Sequence, residues 1–297
     1  MAVPATETPG TLPKQPAQVI ADNWHVISAA EDVVAGKVKP TRLFEIALEY
    51  TRSDDGTRVW RRDEPQSPLP VLERYGFVWT SLGHPPADLL QIPEYAEADR
   101  FNISAGSIGV NVSAPRAIEN FLDMGHFPYV HTGILGDEPH TEVKEYDVET
   151  SDARDEILAT RCRFFQPMAA LSAEGGMEVE YVYRVPHPYC SVLYKSCPTD
   201  PSRMDVIAIF CQPTSEETIR AHLMLCMIDE VNTLAGMRRF QQTIFGQDKP
   251  ILENQYPKKL PLDPRAETPI RADKSAIAYR RWLSNKGVDY GVIPVTA

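Results

Sequence analysis

Four side chains within a twelve-residue stretch combine the types that hold a catalytic metal ion. Asn120, Asp123, His126 and His131 lie in the run Asn-Phe-Leu-Asp-Met-Gly-His-Phe-Pro-Tyr-Val-His. Two imidazole nitrogens and one carboxylate oxygen, with further positions left open, are the ligand set with which proteins bind Fe(II) and activate dioxygen. An isolated pair of histidines is more often packed or exposed at a helix end, but the full Asn-x-x-Asp-x-x-His-x4-His pattern predicts a mononuclear iron site.

The spacing also predicts the element that carries these side chains. The first three recur three residues apart, which places them on one face of a helix. Ser113 is the predicted cap of this helix, with Pro115 in its first turn. Pro128 is expected to end the helix, so that the second histidine, His131, can turn back towards the same ion.

The motif resembles the catalytic domain of the Rieske non-haem iron oxygenases, which carry the same Asn/Asp-x-x-Asp-x-x-His-x4-His pattern. The resemblance implies that His126 and His131 bind Fe(II). It implies that Asp123 bridges an iron-ligating histidine to a Rieske cluster in a neighbouring subunit, with Asn120 as a supporting amide.

The same resemblance implies a third ligand far downstream. Residues 245–255, Phe-Gly-Gln-Asp-Lys-Pro-Ile-Leu-Glu-Asn-Gln, are similar to the family segment that supplies it, and Asp248 is the predicted ligand. Glu253 is the local competitor, although a solvated helix carboxylate also accounts for it. Asp248 also has a purely structural explanation, as the N-terminal cap of a helix whose first turn would contain Pro250.

The first hundred residues look like a Rieske domain that has lost its cluster. Residues 23–26 and 73–83 are similar to the segments that begin and end such a domain. A Rieske 2Fe–2S cluster needs two cysteines and two histidines, but no cysteine occurs before residue 162 and none is spaced as C-x-H or C-x-x-H. We therefore expect no cluster in this chain, and electrons that come ultimately from NAD(P)H through a partner protein.

Apolar runs and turn residues predict an α+β fold in three parts. Residues 1–20 are a predicted disordered lead, residues 21–92 a truncated Rieske-like β-domain without cluster ligands, and residues 93–297 the mononuclear iron domain. Strands are predicted at 103–113, 142–149, 156–166, 177–186, 190–197, 204–212 and 217–228. A helix is predicted over 232–245, interrupted or kinked at Gly246 and Pro250, and a last helix is predicted over 273–286. The resemblance implies a helix-grip (START/Bet v 1-like) arrangement, in which an antiparallel sheet holds a long C-terminal helix.

Composition excludes several classes of protein. A net charge of -11 and a pI near 5.2 argue against a nucleic-acid-binding surface, and no window is apolar enough for a membrane span. The five cysteines have no spacing typical of a disulfide framework. They predict reduced thiols and a cytoplasmic protein.

Resemblance to the Rieske-lacking subunits of the family implies an oxygenase component that hydroxylates an N-methyl group of a methylxanthine-like substrate and releases formaldehyde. Its expected partners are O2 and a Rieske-bearing reductase or oxygenase subunit, in a trimer-based homo- or hetero-oligomer. O-demethylation and aromatic ring hydroxylation use the same iron chemistry and stay open. A hydrolytic zinc site and a non-catalytic ligand-binding helix-grip protein are the alternatives from other classes.

Overall fold

The computed structural model describes residues 14–171, 175–228 and 232–295. The predicted disordered lead lies outside the described residues up to residue 13. Over residues 14–20 the prediction was wrong, because helix α1 (Gln18–Ala21) begins there. Ile20 is fully buried, and the carboxylate of Asp289 accepts the backbone N–H of Ala17 at 2.8 Å. Burial of the apolar Ile20 side chain therefore fixes this segment against the rest of the fold.

Two small antiparallel sheets follow α1. Their strands are β1 (His25–Ala29), β2 (Lys39–Leu43), β3 (Ile46–Ser53), β4 (Gly56–Arg61), β5 (Val71–Arg74) and β6 (Phe77–Thr80). The strands pair in the orders β1-β6-β5 and β2-β3-β4. Small β-structure is thus present where short apolar runs predicted it. The relation of this part to a Rieske domain, and its boundary at residue 92, stay predictions.

A seven-stranded antiparallel sheet forms the main layer. Its strands are β7 (Phe101–Val110), β8 (Asp147–Ser151), β9 (Glu156–Gln166), β10 (Met177–His187), β11 (Cys190–Ser196), β12 (Met204–Ser215) and β13 (Thr218–Met227). They pair in the order β7-β13-β12-β11-β10-β9-β8, so the first strand lies beside the last. A strand is present at each of the seven predicted places, because most of these segments show the alternation or β-branched enrichment typical of a sheet. The bounds differ most at β8, which begins at Asp147 and not at residue 142.

The other elements of the chain are helices and two short strands. The remaining elements are α2 (Ala114–Leu122), α3 (Phe127–Val130), α4 (Leu234–Asn254), β14 (Leu260–Pro261), α5 (Lys274–Asn285) and β15 (Val292–Ile293). The antiparallel sheet and the long helix α4 form the predicted helix-grip fold. Among the described residues, no helix is both long and apolar enough to cross a membrane.

The two faces of the main sheet pack against different partners. On one face, Phe210 and its neighbours Val192 and Met224 join a core with the β1-β6-β5 sheet, where the ring of Trp79 lies 4.9 Å from that of Phe210. Side chains at the alternate positions, such as Ile207, point to the other face and line a pocket beneath α4. The period of two along each strand separates the structural face from the face that forms the pocket.

Helix α4 is anchored to the edge strand β7 by polar side chains. Arg238 donates to the carbonyl of Ser104 at 2.8 Å, and Gln242 donates to that of Ala105 at 2.7 Å. Gly106 has φ +118°, and a Cβ there would lie 2.8 Å from the Gln242 amide nitrogen. The free edge of the sheet is therefore covered, and the rotation of α4 about its axis is fixed.

The prediction of one helix through the motif was wrong. Helix α2 ends at Leu122 and α3 begins after His126. Pro128 lies in the first turn of α3, where its missing N–H has no helical partner to lose. Asp123 ends α2, because its Oδ1 accepts the N–H of Gly125 at 2.7 Å and competes with helical hydrogen bonding.

Helix α4 is longer than predicted. Gly246 and Pro250 were expected to interrupt or kink it; the helix is not interrupted, and it continues to Asn254 with Pro250 inside it. Pro250 leaves the carbonyl of Gly246 without its usual N–H donor. The ammonium of Lys249 joins this part of the helix to β7 by donating to the carbonyl of Gly109 at 2.8 Å. Tertiary contacts thus outweigh the local preference, and the additional residues of α4 include Asp248.

Candidate metal centre

Buried ion pairs hold α2 in place beneath the motif. Arg116 is fully buried and pairs with Glu119 at 3.1 Å and with Glu267 at 2.5 Å. Arg280 of α5 donates to both carboxylate oxygens of Glu119, at 2.6 and 3.0 Å. Two arginines satisfying one buried carboxylate connect α2 to α5 with defined geometry. The N-terminus of α2 is capped as predicted, since the Ser113 hydroxyl accepts the N–H of Arg116.

The turn between α2 and α3 orients the first histidine. Asp123 uses one carboxylate oxygen for the N–H of Gly125, and its other oxygen accepts the Nδ1–H of His126 at 3.0 Å. This bond fixes the tautomer and ring plane of His126 and leaves its Nε2 lone pair free. The carboxylate therefore acts on the side of the ring remote from the other histidine.

Helix α3 presents the second histidine, and α4 supports it. His131 is 1% exposed, and its Nδ1–H donates to Oε1 of Gln247 at 2.9 Å. With Nδ1 bonded in this way, Nε2 of His131 faces the same point as Nε2 of His126. Gln247 was not predicted from the sequence. The sequence shows that Gln247 directly precedes Asp248, but its contact with His131 arises only in the folded protein.

Three potential ligand atoms converge between the two helices. Nε2 of His126 and Nε2 of His131 are 3.2 Å apart, and Oδ1 of Asp248 lies 3.3 and 3.1 Å from them. With metal–ligand bonds of about 2.1 Å, such separations subtend about 95–105° at a common ion. Each imidazole has its other nitrogen occupied by a donor bond, so the three free donor atoms fit a divalent cation on one face of its coordination sphere.

The carboxylates favour positive charge at this point. Burial works against a charged imidazole, but Asp123 and Asp248 outweigh it and raise the pKa of His126 to about 9. Burial likewise opposes ionisation of Asp248, yet its hydrogen bonds with His126 and His131 hold the pKa of that carboxyl below its usual value. Binding of a cation here would displace the proton from His126.

A largely apolar pocket opens beside the three ligand atoms. It lies between the sheet and α4, and encloses about 970 Å³ including its open mouth. Aromatic and aliphatic side chains form most of its walls, and Asn120, His126, His131 and Asp248 also line it. A mainly apolar pocket with a few polar groups has the character of a small-molecule binding site.

The predicted site residues separate into three groups. His126, His131 and Asp248 form a cluster that could hold a metal ion. Asn120 lines the pocket, while Asp123 lines an adjoining open groove with a side chain that is 35% exposed. Glu253, the competitor, lies away from the cluster, where it pairs with Lys249 and accepts the N–H of Asn111. The metal-binding roles of the cluster stay predictions.

The histidines outside the motif have other environments. His222 is buried on β13 and bonded to Ser107 and Gln212, and His140 is exposed. His187 is buried at the end of β10. None of the three belongs to the cluster.

Fold and site together define a helix-grip protein with two histidines and one carboxylate arranged for a cation. Residues 110–287 match the family model described as vanillate O-demethylase oxygenase C-terminal domain. The chain is 47% identical over 272 residues to the probable methylxanthine N7-demethylase NdmC of Pseudomonas sp. (strain TJI-51), a match that covers 92% of this chain and 96% of that protein.

More distant relatives agree with this assignment. The chain is 26% identical over 240 residues to the methylxanthine N1-demethylase NdmA of Pseudomonas putida, which covers 74% of this chain and 63% of that protein. The solved structure of Pseudomonas putida CBB5 NdmA shares the fold, with a TM-score of 0.72 at 18% identity over 91% of this chain and 92% of that one. The chain therefore belongs to the vanillate O-demethylase group of the Rieske non-haem iron oxygenases.

Proposed function

We propose that this protein is the oxygenase component of a methylxanthine N-demethylase, with Fe(II) held by His126, His131 and Asp248. The observation that carries the proposal is the convergence of their three free donor atoms at 3.1–3.3 Å beside an apolar pocket. The substrate class follows from the 47% identity to a probable methylxanthine N7-demethylase. Fe(II) in this position would activate dioxygen. The protein would then have to position the substrate and keep water away from the reacting atoms.

Each residue of the centre has a physical task in the proposed reaction. Asp123 and Gln247 hold the two imidazole rings so that both Nε2 atoms face one point. The apolar pocket walls exclude water and hold the substrate with a methyl group towards that point. Asn120 stands where the pocket meets the centre and offers an amide to the substrate or to a bound water.

The net reaction balances with one molecule of dioxygen for each methyl group. An N-methyl group, O2, two electrons and two protons give an N-hydroxymethyl group and water. The carbon–nitrogen bond then breaks, the nitrogen takes the hydroxyl proton, and formaldehyde leaves. The electrons must come from a donor, and no cysteine of this sequence is spaced for a Rieske cluster. We therefore assign the electron supply to a Rieske-bearing partner that is reduced by NAD(P)H.

Asp123 is the proposed point of electron entry. Its carboxylate contacts the Nδ1–H of His126, and the side chain is partly exposed in a groove that adjoins the pocket. A carboxylate in this position can accept a second hydrogen bond from a histidine of the partner. A trimer-based assembly, in which a neighbouring subunit covers the groove, would bring such a histidine within reach.

Metal analysis of the native protein and two variants tests the assignment. We expect about one iron per chain and no acid-labile sulfide after purification without oxygen, and loss of that iron in His126→Ala. His140→Ala is the matched control, because His140 is an exposed histidine outside the cluster. Native protein that takes up no iron after Fe(II) reconstitution would contradict the proposal and favour a ligand-binding or zinc protein.

Asp123→Asn separates electron supply from metal binding. Asparagine keeps an oxygen that can accept the Nδ1–H of His126, so iron content should be unchanged. Turnover of 7-methylxanthine to formaldehyde with the reduced partner should fall by about 100-fold, since the charge that links the two redox sites is lost. Full turnover in this variant would contradict the bridging role.

O-demethylation is the second candidate, because the matching family model is described as that of a vanillate O-demethylase oxygenase. Both reactions release formaldehyde, so a comparison of product formation from N-methylated purines and from methoxylated aromatic acids distinguishes them.

A further inference from the structure

Few polar groups reach into the pocket, and they must decide how a ligand lies in it. Three of them belong to neighbouring strands of the sheet. Tyr181 and Tyr183 are two residues apart on β10 and face the same side, and Lys195 on β11 is the register partner of Tyr181. A purine dione is a flat molecule with polar edges, so its orientation in a mainly apolar pocket depends on which of these groups is available to bond with it.

Two of the three polar groups already have partners in the protein. The hydroxyl of Tyr181 accepts the side-chain N–H of Gln166 at 2.8 Å. The ammonium of Lys195 donates to the carbonyl of Ala169. Both groups therefore have part of their hydrogen-bonding capacity satisfied before a ligand enters.

The hydroxyl of Tyr183 is different. The residue is 1% exposed, and its hydroxyl has no hydrogen-bond partner among the residues that the structure describes. A buried hydroxyl without a partner loses its bonds to water and gains none from the protein. Native structures retain few such groups, and each requires an explanation. For a residue in a pocket wall, a ligand that supplies the missing partner is one such explanation.

The position of Tyr183 indicates which part of the ligand it meets. Its ring lies 6.0 Å from that of Phe121 on α2 and 5.7 Å from that of Tyr181, edge to face in both cases. Asn120, the neighbour of Phe121, lines the same pocket, as do the three residues of the metal cluster. The ring of Tyr183 is thus held by packed aromatic side chains in the wall of the pocket that contains the cluster, and its hydroxyl has little freedom to find another partner.

We propose that the Tyr183 hydroxyl is a substrate-recognition group that donates a hydrogen bond to a ring carbonyl oxygen of the methylxanthine. This inference rests on the proposed function. It adds the residue that recognises a carbonyl group of the substrate by hydrogen bonding. The free protein contains the buried hydroxyl unsatisfied, and a carbonyl oxygen satisfies it on binding. An apolar ligand of the same shape leaves it unsatisfied and binds less well.

Ligand binding and thermal stability, measured on the same variants, test the proposal. Fe(II)-loaded protein is titrated without oxygen by calorimetry with 7-methylxanthine and with 7-methylpurine, which has neither ring carbonyl. Tyr183→Phe should weaken 7-methylxanthine binding about five- to twentyfold and change 7-methylpurine binding little. Its melting temperature should stay the same or rise, because the variant removes a polar group without a partner.

Tyr181→Phe is the matched control. It removes a hydroxyl from the same strand and the same pocket wall, but that hydroxyl has a protein partner in Gln166. We expect the melting temperature of Tyr181→Phe to fall by about 2–4 °C, with no selective loss of the ligand that carries carbonyls.

Failure of the inference and failure of the proposed function give different results. The recognition role is overturned if native protein binds 7-methylxanthine and the Tyr183→Phe variant binds it equally well. It is also overturned if the variant loses affinity for 7-methylxanthine and for 7-methylpurine by the same factor. A fall in the melting temperature of Tyr183→Phe like that of Tyr181→Phe also overturns it, since the hydroxyl would then have a structural partner. Native protein that binds neither ligand overturns the proposed function itself.

Discussion

At the residue scale, the side chains behind the two histidines decide whether the cluster can work. Each imidazole has one nitrogen directed at the cluster and the other directed at an oxygen of Asp123 or Gln247. These outer contacts remove the choice of tautomer and restrict rotation of the rings. Ring orientation is set by residues from three different helical segments, so the centre is an assembly of the fold.

We expect Gln247→Leu to weaken Fe(II) binding by about 10- to 100-fold, because Nδ1 of His131 loses its only described hydrogen-bond acceptor. Gln247→Glu is the matched variant, since a carboxylate still accepts that N–H and should keep the affinity near that of native protein. Anaerobic titration with Fe(II) measures both. Equal affinity of the leucine variant and native protein would show that packing alone orients His131.

At the element scale, the pattern of side chains predicted the strands of the main sheet, and failed where distant contacts decide. Strand β9 has the predicted bounds, because alternation along Glu156–Gln166 is a local property. The break between α2 and α3 was missed, since three-residue spacing resembles a helix whether or not Asp123 ends it. The contact of Gln247 with His131 spans 116 positions of sequence and leaves no local signal.

Caps at the start of α2 and of α4 offer a stability test at this scale. Ser113 is fully buried and accepts the N–H of Arg116, whereas Thr233 is exposed and accepts the N–H of Gly236. Ser113→Ala should lower the free energy of unfolding by about 1–2 kcal/mol, because the N–H of Arg116 is left buried without a partner. Thr233→Ala should have a smaller effect, since water can reach Gly236. Thermal unfolding compares the two, and an equal loss in both would contradict this account.

At the scale of the whole molecule, the N-terminal sheets and the main sheet share one interface, which contains buried histidines. His25 of β1 lies 5.2 Å from His187 at the end of β10, ring to ring, and His222 of β13 lies 5.9 Å from Phe77 of β6. These side chains join the two parts of the fold. They also make the interface sensitive to acid, because each imidazole is buried in its neutral form.

The expected loss of stability in acid follows from the pKa values of these histidines. Burial lowers the pKa of His25 to about 4 and that of His222 to about 3, and burial with the nearby charges of His25 and Lys286 lowers that of His187. In the unfolded chain each pKa returns to about 6.5, so the unfolded state binds more protons below that pH. Their contribution to stability is therefore complete above about pH 6.5 and is lost as the pH falls towards the folded values, by up to about 1.4 kcal/mol per pH unit for each histidine.

Replacement of one of these histidines should change the number of protons taken up on unfolding. We expect His25→Gln to unfold with about one proton fewer at pH 5 than native protein, and its melting temperature to fall less steeply between pH 6.5 and 4.5. The exposed His140→Gln is the control and should keep the native slope, since His140 lies outside the interface between the sheets. Proton uptake is measured by calorimetric unfolding in buffers of different ionisation enthalpy. If the melting temperatures of native protein and His25→Gln fall in parallel with pH, His25 is already protonated in the folded state. The interface would then admit charge and water more readily than its packing indicates.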